Sequence, residues 1–240
     1  MRIIKAPNLA SAHEQVVRMI LEKGWILTTE DQEATVEFEE VTMRIERPTS
    51  SPMVSPKSRF QKRFMDHYAR DLIEGSDSTF EYDYHDRLFN WGENLFRSDG
   101  SEVHVDQIRY ITEKIRKSPV SRRAIAITWN PAYDEDLDDC PCLQLVQCLS
   151  REGLLHMKVV FRSNDMLTAA GANMYALVSL QQHIASSLNL GCGSYTHISL
   201  VPHVYYRRDS SDIEPFCGRG ELFRPIPEVC RACGKCMPRE

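Results

Sequence analysis

The chain has 240 residues, 42% hydrophobic and 26% charged, with a net charge of −5. That length and balance suit one globular domain with a sizeable core, or one domain with an appendage. The negative charge gives no basic field for DNA or RNA, no run is apolar enough to span a bilayer, and the N-terminus reads as carrying no signal peptide. The expectation is a cytoplasmic protein that acts on a small molecule, with no nucleic-acid and no membrane partner. The eight cysteines all lie after residue 139, which reads as reduced thiols rather than a disulfide framework.

Val16, Val17, Ile20 and Leu21 form one stripe and predict a helix over 12–23, ended by Gly24. Val36, Phe38, Val41, Met43 and Ile45 alternate, so 34–45 reads as a strand or a hairpin. Residues 48–58, rich in Pro and Ser, read as a loop. A second helix is expected from Ser58 through Phe60, Phe64, Tyr68 and Leu72 to a stop at Gly75. Ile108, Ile111, Thr112 and Ile115 predict a helix over 105–117, and 124–129 reads as a strand. Residues 143–149 and 154–161 flank Arg151-Glu152-Gly153 and predict a hairpin. The longest helix is expected over 166–190, with Leu177, Leu180, Ile184 and Leu188 in register and Gly191 as its cap. Residues 195–206 alternate as a strand. Helices and strands intermix without a regular βα repeat, which favours an α+β layered fold. The organisation expected is a catalytic domain over 1–208 and a cysteine-containing tail over 209–240.

Chemistry gathers around Pro141-Cys142. With a three-residue loop at 151–153, Cys142 and Arg162 each lie ten residues from Glu152 and face one another. Directly opposed residues have Cβ atoms about 4.5–5.5 Å apart, so the guanidinium is expected to stabilise a thiolate and lower its pKa. Asn173 shares a helix face with Leu177, Leu180 and Ile184 and is expected to point inward. Its amide can match the carbonyl and N–H of a uracil edge, whereas cytosine reverses that pair. His203 and Tyr205 are two apart on a strand and share a face, placed to hold a sugar hydroxyl. Each of these residues alone is more often a packing or surface residue; the joint pattern carries the chemistry.

From Arg122 to Tyr205 the chain resembles the thymidylate synthase family, which includes the pyrimidine hydroxymethylases. The resemblance rests on Arg122-Arg123, Trp129-Asn130-Pro131, Pro141-Cys142 with Gln147, Arg162-Ser163 with Asp165, Asn173, and His203 with Tyr205. A weaker match reaches Tyr84-His85 and Arg87-Leu88, and it points to the archaeal-type branch. The resemblance implies a mixed β-sheet flanked by helices and a methyltransferase that converts dUMP to dTMP. Cys142 would add to C6 of the base, and the one-carbon unit and hydride would come from 5,10-methylene-tetrahydrofolate or a tetrahydromethanopterin-type analogue. Arg162 and Ser163 would bind the phosphate of a pyrimidine nucleoside monophosphate, helped by Arg122 and Arg123 of a second subunit in a homodimer; a monomer is the alternative. Asp165 would contact base and pterin, Asn173 the uracil edge, and His203 and Tyr205 the 3′-hydroxyl. Tyr84 would assist proton removal at C5. Among the departures, Leu143 follows the cysteine where the family usually has His, and the count back from Gly75 to the family's Glu lands on Tyr68, with Asp66, His67 and Glu74 as candidate substitutes. The rival readings are a hydroxymethylase and a non-catalytic nucleotide-binding or metal-sensing protein on the same fold.

The tail carries Cys230, Cys233 and Cys236 at C-x2-C-x2-C spacing, with Cys217 upstream as a candidate fourth ligand. Four thiolates suit a structural tetrahedral zinc; an iron–sulfur cluster and a reduced, metal-free tail are the alternatives.

Overall fold

A computed structural model describes residues 1–76, 83–92 and 95–217. The strands are β1 (Arg2–Ala6), β2 (Trp25–Thr28), β3 (Ala34–Glu37), β4 (Val41–Ile45), β5 (Ile125–Ile127), β6 (Leu143–Arg151), β7 (Leu154–Phe161), β8 (Asn164–Asp165), β9 (Gly191–Ser199) and β10 (Pro202–Val204). The helices are α1 (Leu9–Lys23), α2 (Lys62–Glu74), α3 (Tyr84–Phe89), α4 (Gln107–Lys117), α5 (Pro131–Asp134), α6 (Ala170–Ser187) and α7 (Ser210–Ile213). Six strands form a mixed sheet in the order β1-β4-β9-β7-β6-β5, and four form a second sheet in the order β2-β3-β10-β8. Helices pack against these sheets, so the fold is α+β, as the intermixed sequence pattern predicts.

α1 starts where the Asn8 side chain accepts from the Ser11 N–H at 2.9 Å, and it buries the predicted stripe of Val16, Val17, Ile20 and Leu21. Its end needs glycine for space: a Cβ on Gly24 would lie 2.5 Å from the Val36 side chain and 2.7 Å from the Glu37 carbonyl. α2 begins at Lys62 rather than Ser58, because Gln61 occupies the extended capping position. α6 is buried on most of its circumference and forms the centre of the core, between α1, α2 and the six-stranded sheet. It is shorter than its hydrophobic pattern. The Asp165 carboxylate accepts from the Leu167 and Thr168 N–H groups and holds 166–169 as a turn before the helix proper. At its other end the left-handed residue is Asn189, at φ 55°, and Gly191 is already the first residue of β9.

Two alternating segments divide between sheets. β3 pairs with β2 and β10, while β4 pairs with β1 and β9, so 34–45 is two strands and not a hairpin. Residues 195–206 likewise split into β9 and β10 around Leu200-Val201. The segment after residue 208 folds back: Ile213 and Phe216 are buried, and the Phe216 ring stands edge-on to His13 at 5.4 Å.

Candidate active site

The β6–β7 hairpin decides whether Cys142 meets Arg162. Its turn is the two-residue Glu152-Gly153, both at positive φ (51° and 74°), the geometry that suits the twist of a tight hairpin. Arg151 therefore pairs with Leu154, one residue out of the expected register. A bulge between Leu143 and Leu145 then shifts the ladder by one, so that Leu143 pairs with Phe161. The expected meeting is reached by a different route: the Arg162 N–H donates to the Cys142 carbonyl at 2.8 Å. The Arg162 guanidinium also donates to the Pro141 carbonyl at 3.1 Å and the Cys140 carbonyl at 2.6 Å. It thus clamps the turn that presents the thiol, and its remaining N–H groups are free to meet an anion.

The expected pKa shift is corrected. Burial pushes the Cys142 thiol up, the Arg162 charge opposes this, and Asp139 and Cys140 add to the rise; the net direction is upward. Arg162 therefore limits the rise without reversing it. Cys148, six residues along the same strand, is fully buried with no compensating charge and is pushed up to about 12, which leaves it inert.

Tyr84 reaches this point from α3. Its hydroxyl accepts from the Leu143 N–H at 2.8 Å, on the peptide next to the thiol. α3 is held by Arg87, which is fully buried and paired with buried Asp134 at 2.7 Å. Arg87 also donates to the Thr128 carbonyl at 3.0 Å, and its guanidinium lies 5.0 Å from the Trp91 ring and 5.4 Å from the Tyr133 ring. Asp134 in turn accepts from the Asn130 N–H at 2.6 Å, and the Asn130 side chain caps α5. The Trp129-Asn130-Pro131 motif thus frames the site.

The strand exit after Phe161 supplies the other groups. Ser163 Oγ lies 3.3 Å from His203 Nδ1, and the His203 ring stands edge-on to Tyr205 at 5.0 Å. Burial pushes the Tyr205 phenol up, Arg208 opposes this, and Asp165 and Cys142 contribute further, which places all four groups in one electrostatic neighbourhood. Asp165 receives two backbone N–H groups, the Thr168 hydroxyl at 2.6 Å and Arg208 at 2.9 Å, which fills a carboxylate's four acceptor positions. Contact between this carboxylate and a further donor requires Arg208 to let go.

Arg208 is a residue that the motif reading missed. It lies 3.9 Å from the Tyr205 ring centroid and pairs with both Asp165 and Asp209. The signal was its place three residues beyond Tyr205, on the far side of the alternating run. Tyr68, already singled out at the family's Glu position, has a contact that the motif reading did not foresee. Its hydroxyl donates to Asn173 Oδ1 at 2.9 Å, and its ring continues a stack through Phe64 (6.2 Å) to Phe60 (4.1 Å). Asn173 is half-buried, two helical turns beyond Asp165 through the bonds Ala169 N–H to Asp165 and Asn173 N–H to Ala169. That places it eight residues on, in the first turn of the helix that follows the turn at 166–169. Of the carboxylates near Tyr68, Asp66 is bonded instead to Tyr175 and Lys62.

Arg122 and Arg123 do not join this group within one chain. Both are exposed, and Gln147 Nε2 donates to the Arg122 carbonyl at 3.1 Å. Ile125, three residues after Arg122, pairs with Gln147, which is five residues and about 16 Å along the strand from Cys142. Cys217 is half-buried, while Cys230, Cys233 and Cys236 lie outside the described residues. Among the described residues no group of three or more His, Cys, Asp and Glu is placed to hold a metal ion, and no helix is long and apolar enough to cross a membrane.

A thiol on a turn clamped by a guanidinium shares one α+β frame with phenols, an imidazole and an amide. The family model described as thymidylate synthase matches residues 63–219. A protein named "Putative thymidylate synthase" in Methanocaldococcus jannaschii is 37% identical over 221 residues, covering 90% of this chain and 96% of the relative. Proteins of the same name in Methanosarcina acetivorans (35% over 205 residues, 85% and 89% covered) and Methanopyrus kandleri (36% over 139 residues, 58% and 61% covered) are also similar. The chain belongs to the thymidylate synthase family.

Proposed function

We propose that this protein is a thymidylate synthase that methylates dUMP at C5 to give dTMP, through a covalent adduct on Cys142. The observation that carries the reading is the clamp: Arg162 spans the carbonyls of residues 140 and 141 on the turn that presents the thiol, and the charges of Cys142 and Asp165 both bear on the Tyr205 phenol. The free N–H groups of Arg162, with Ser163, would hold the phosphate. Arrival of substrate would need the Cys142 proton to pass to solvent water, because burial keeps the resting thiol protonated. Sγ then bonds to C6 of the base, the C5–C6 π electrons move toward C4–O4, and C5 becomes nucleophilic. Asn173 would meet O4 and N3–H, and Tyr84, fixed on the Leu143 N–H, would assist loss of the C5 proton.

A reduced pterin, methylene-tetrahydrofolate or a tetrahydromethanopterin-type analogue, would supply the methylene carbon and the hydride. The donor set fits such a group in two places. The Phe60–Phe64–Tyr68 stack, with Phe64 42% exposed, offers a flat apolar surface to a planar ring. Asp165 offers a carboxylate once Arg208 is displaced.

The second subunit is part of the reading. Ile125 and Ile127 are 36% and 47% exposed, and they share the outer face of the six-stranded sheet with half-buried Leu145, Leu149, Val160 and Ile198. A homodimer across this face would cover it and carry Arg122 and Arg123 toward the partner's phosphate.

The test is incubation with 5-fluoro-dUMP and each reduced pterin, followed by peptide mass spectrometry. A ternary adduct on Cys142 is expected; its absence with both pterins would remove the enzymatic reading. Product mass from dUMP and dCMP then separates methylation from hydroxymethylation, and uracil from cytosine.

A further inference from the structure

The residue between Ser163 and Asp165 faces the opposite way. Asn164 is 3% exposed, and its Oδ1 lies 3.0 Å from Nε2 of His197, which is fully buried on β9. His197 Nδ1 lies 3.0 Å from the hydroxyl of fully buried Tyr195, and the imidazole stacks on Phe161 at 4.7 Å and 14°. The proton positions in this chain follow from burial. A buried imidazole without a carboxylate stays neutral and carries one N–H, and burial pushes His197 down to about 3. An amide oxygen can only accept, so Nε2 carries the proton and Nδ1 accepts from the Tyr195 hydroxyl.

This chain joins the two sheets at the point where the backbone crosses between them. β7 ends at Phe161 in the six-stranded sheet. β8 begins at Asn164 in the four-stranded sheet, pairing Asn164 with Pro202 and Asp165 with His203. Extended backbone alternates its side chains, so an Asn164 amide held downward aims Ser163 and Asp165 upward. Those are the residues expected at the phosphate and the base. A two-residue strand has little ladder of its own to fix that direction.

We propose that His197 is a positioning residue for nucleotide binding: its Nε2–H holds the Asn164 amide, and through it sets the aim of Ser163 and Asp165. The inference rests on the reading of the site as a pyrimidine nucleotide site. It predicts that a buried residue with no path to the ligand controls affinity for it.

The test compares dUMP binding by calorimetry in wild type, His197→Phe and His197→Gln, with thermal melting of each. Phe keeps the ring and its stacking but loses both nitrogens; Gln can bring an N–H to the same reach. His197→Phe should bind dUMP about ten-fold more weakly or worse, and His197→Gln within about three-fold of wild type. A merely structural role would lower the melting temperature while the folded protein kept its wild-type Kd, and that result overturns the proposal. Equal loss in both variants also overturns it, because the donated proton would then be irrelevant. If His197→Phe does not fold, Asn164→Ala reads the other end of the same bond: about ten-fold weaker binding supports the proposal, and unchanged binding refutes it. Wild-type protein that binds neither dUMP nor dCMP would sink the nucleotide reading, and this inference with it.

Discussion

At its first residue β6 enters a closed network. The Leu143 N–H is taken by Tyr84, the Leu143 carbonyl accepts from the Thr128 hydroxyl, and the preceding turn is clamped by Arg162. At the other end of the same strand pair, Arg122 and Arg123 stand in solvent, and their hydrogen bonds are made by backbone atoms, with Gln147, Tyr110 and Ser121. Both ends carry motif residues of the same family. The first end is held within one chain, because its backbone groups are met by side chains folded against it. The second presents two guanidiniums with no anion among the described residues, beside an apolar sheet face. A motif residue is placed by the chain itself only where its polar atoms find partners at home; elsewhere the partner has to come from a ligand or a second copy.

The comparison breaks first at the thiol. Cys142→Ser should reduce turnover by about 10⁴-fold or more while leaving dUMP binding within a few-fold, since only the bond-forming sulfur is lost. Cys140→Ser should stay active, because Arg162 uses the backbone carbonyl there and not the sulfur. Product assays with calorimetry decide; a turning-over Cys142→Ser protein would end the nucleophile assignment.

The closed end should also be the stability-critical one. Asp134→Ala leaves the fully buried Arg87 charge without its carboxylate and should cost about 3–5 kcal/mol in urea unfolding, whereas Arg123→Ala should change stability by less than about 0.5 kcal/mol. Equal effects would erase the contrast between the two ends.

Base choice is a smaller effect. Asn173→Asp should move the ratio of kcat/KM for dUMP over dCMP by about 10–100-fold toward cytosine, from about 1–3 kcal/mol for an unmatched polar pair at the base edge. An unchanged ratio would mean that the Tyr68–Asn173 pair does not touch the base. The open end gives the smallest signal. Mixing Arg123→Ala with Cys142→Ser protein should recover about a quarter of wild-type activity, since half of the dimers are mixed and each holds one intact site. No recovery, with subunit exchange shown by native mass spectrometry, would argue that the arginines serve no neighbouring site.

Local pattern carried most of the elements. α1, α4 and the β6–β7 hairpin follow from periodicity and from Gly153 at positive φ, because those signals act within a few residues. Cys142, Arg162, Ser163 and His203 were legible as a group, since each sits in a motif whose spacing survives folding. Tyr68 was legible only as a departure at the family's Glu position and Arg208 not at all, because a tyrosine on an apolar helix stripe and an arginine past a strand read the same whether or not they meet Asn173 and Asp165.

What the sequence could not decide was every question that needs a partner from elsewhere in the chain. Alternation in 34–45 and 195–206 announces strands but is identical for any sheet they join, so the division into two sheets came only with tertiary pairing. The meeting of Cys142 with Arg162 depended on two shifts that cancel, a shorter turn and a bulge, and a bulge is visible only against its partner strand. The direction of the Cys142 pKa was set by burial, a property of everything packed around the thiol and not of the arginine that the motif supplies.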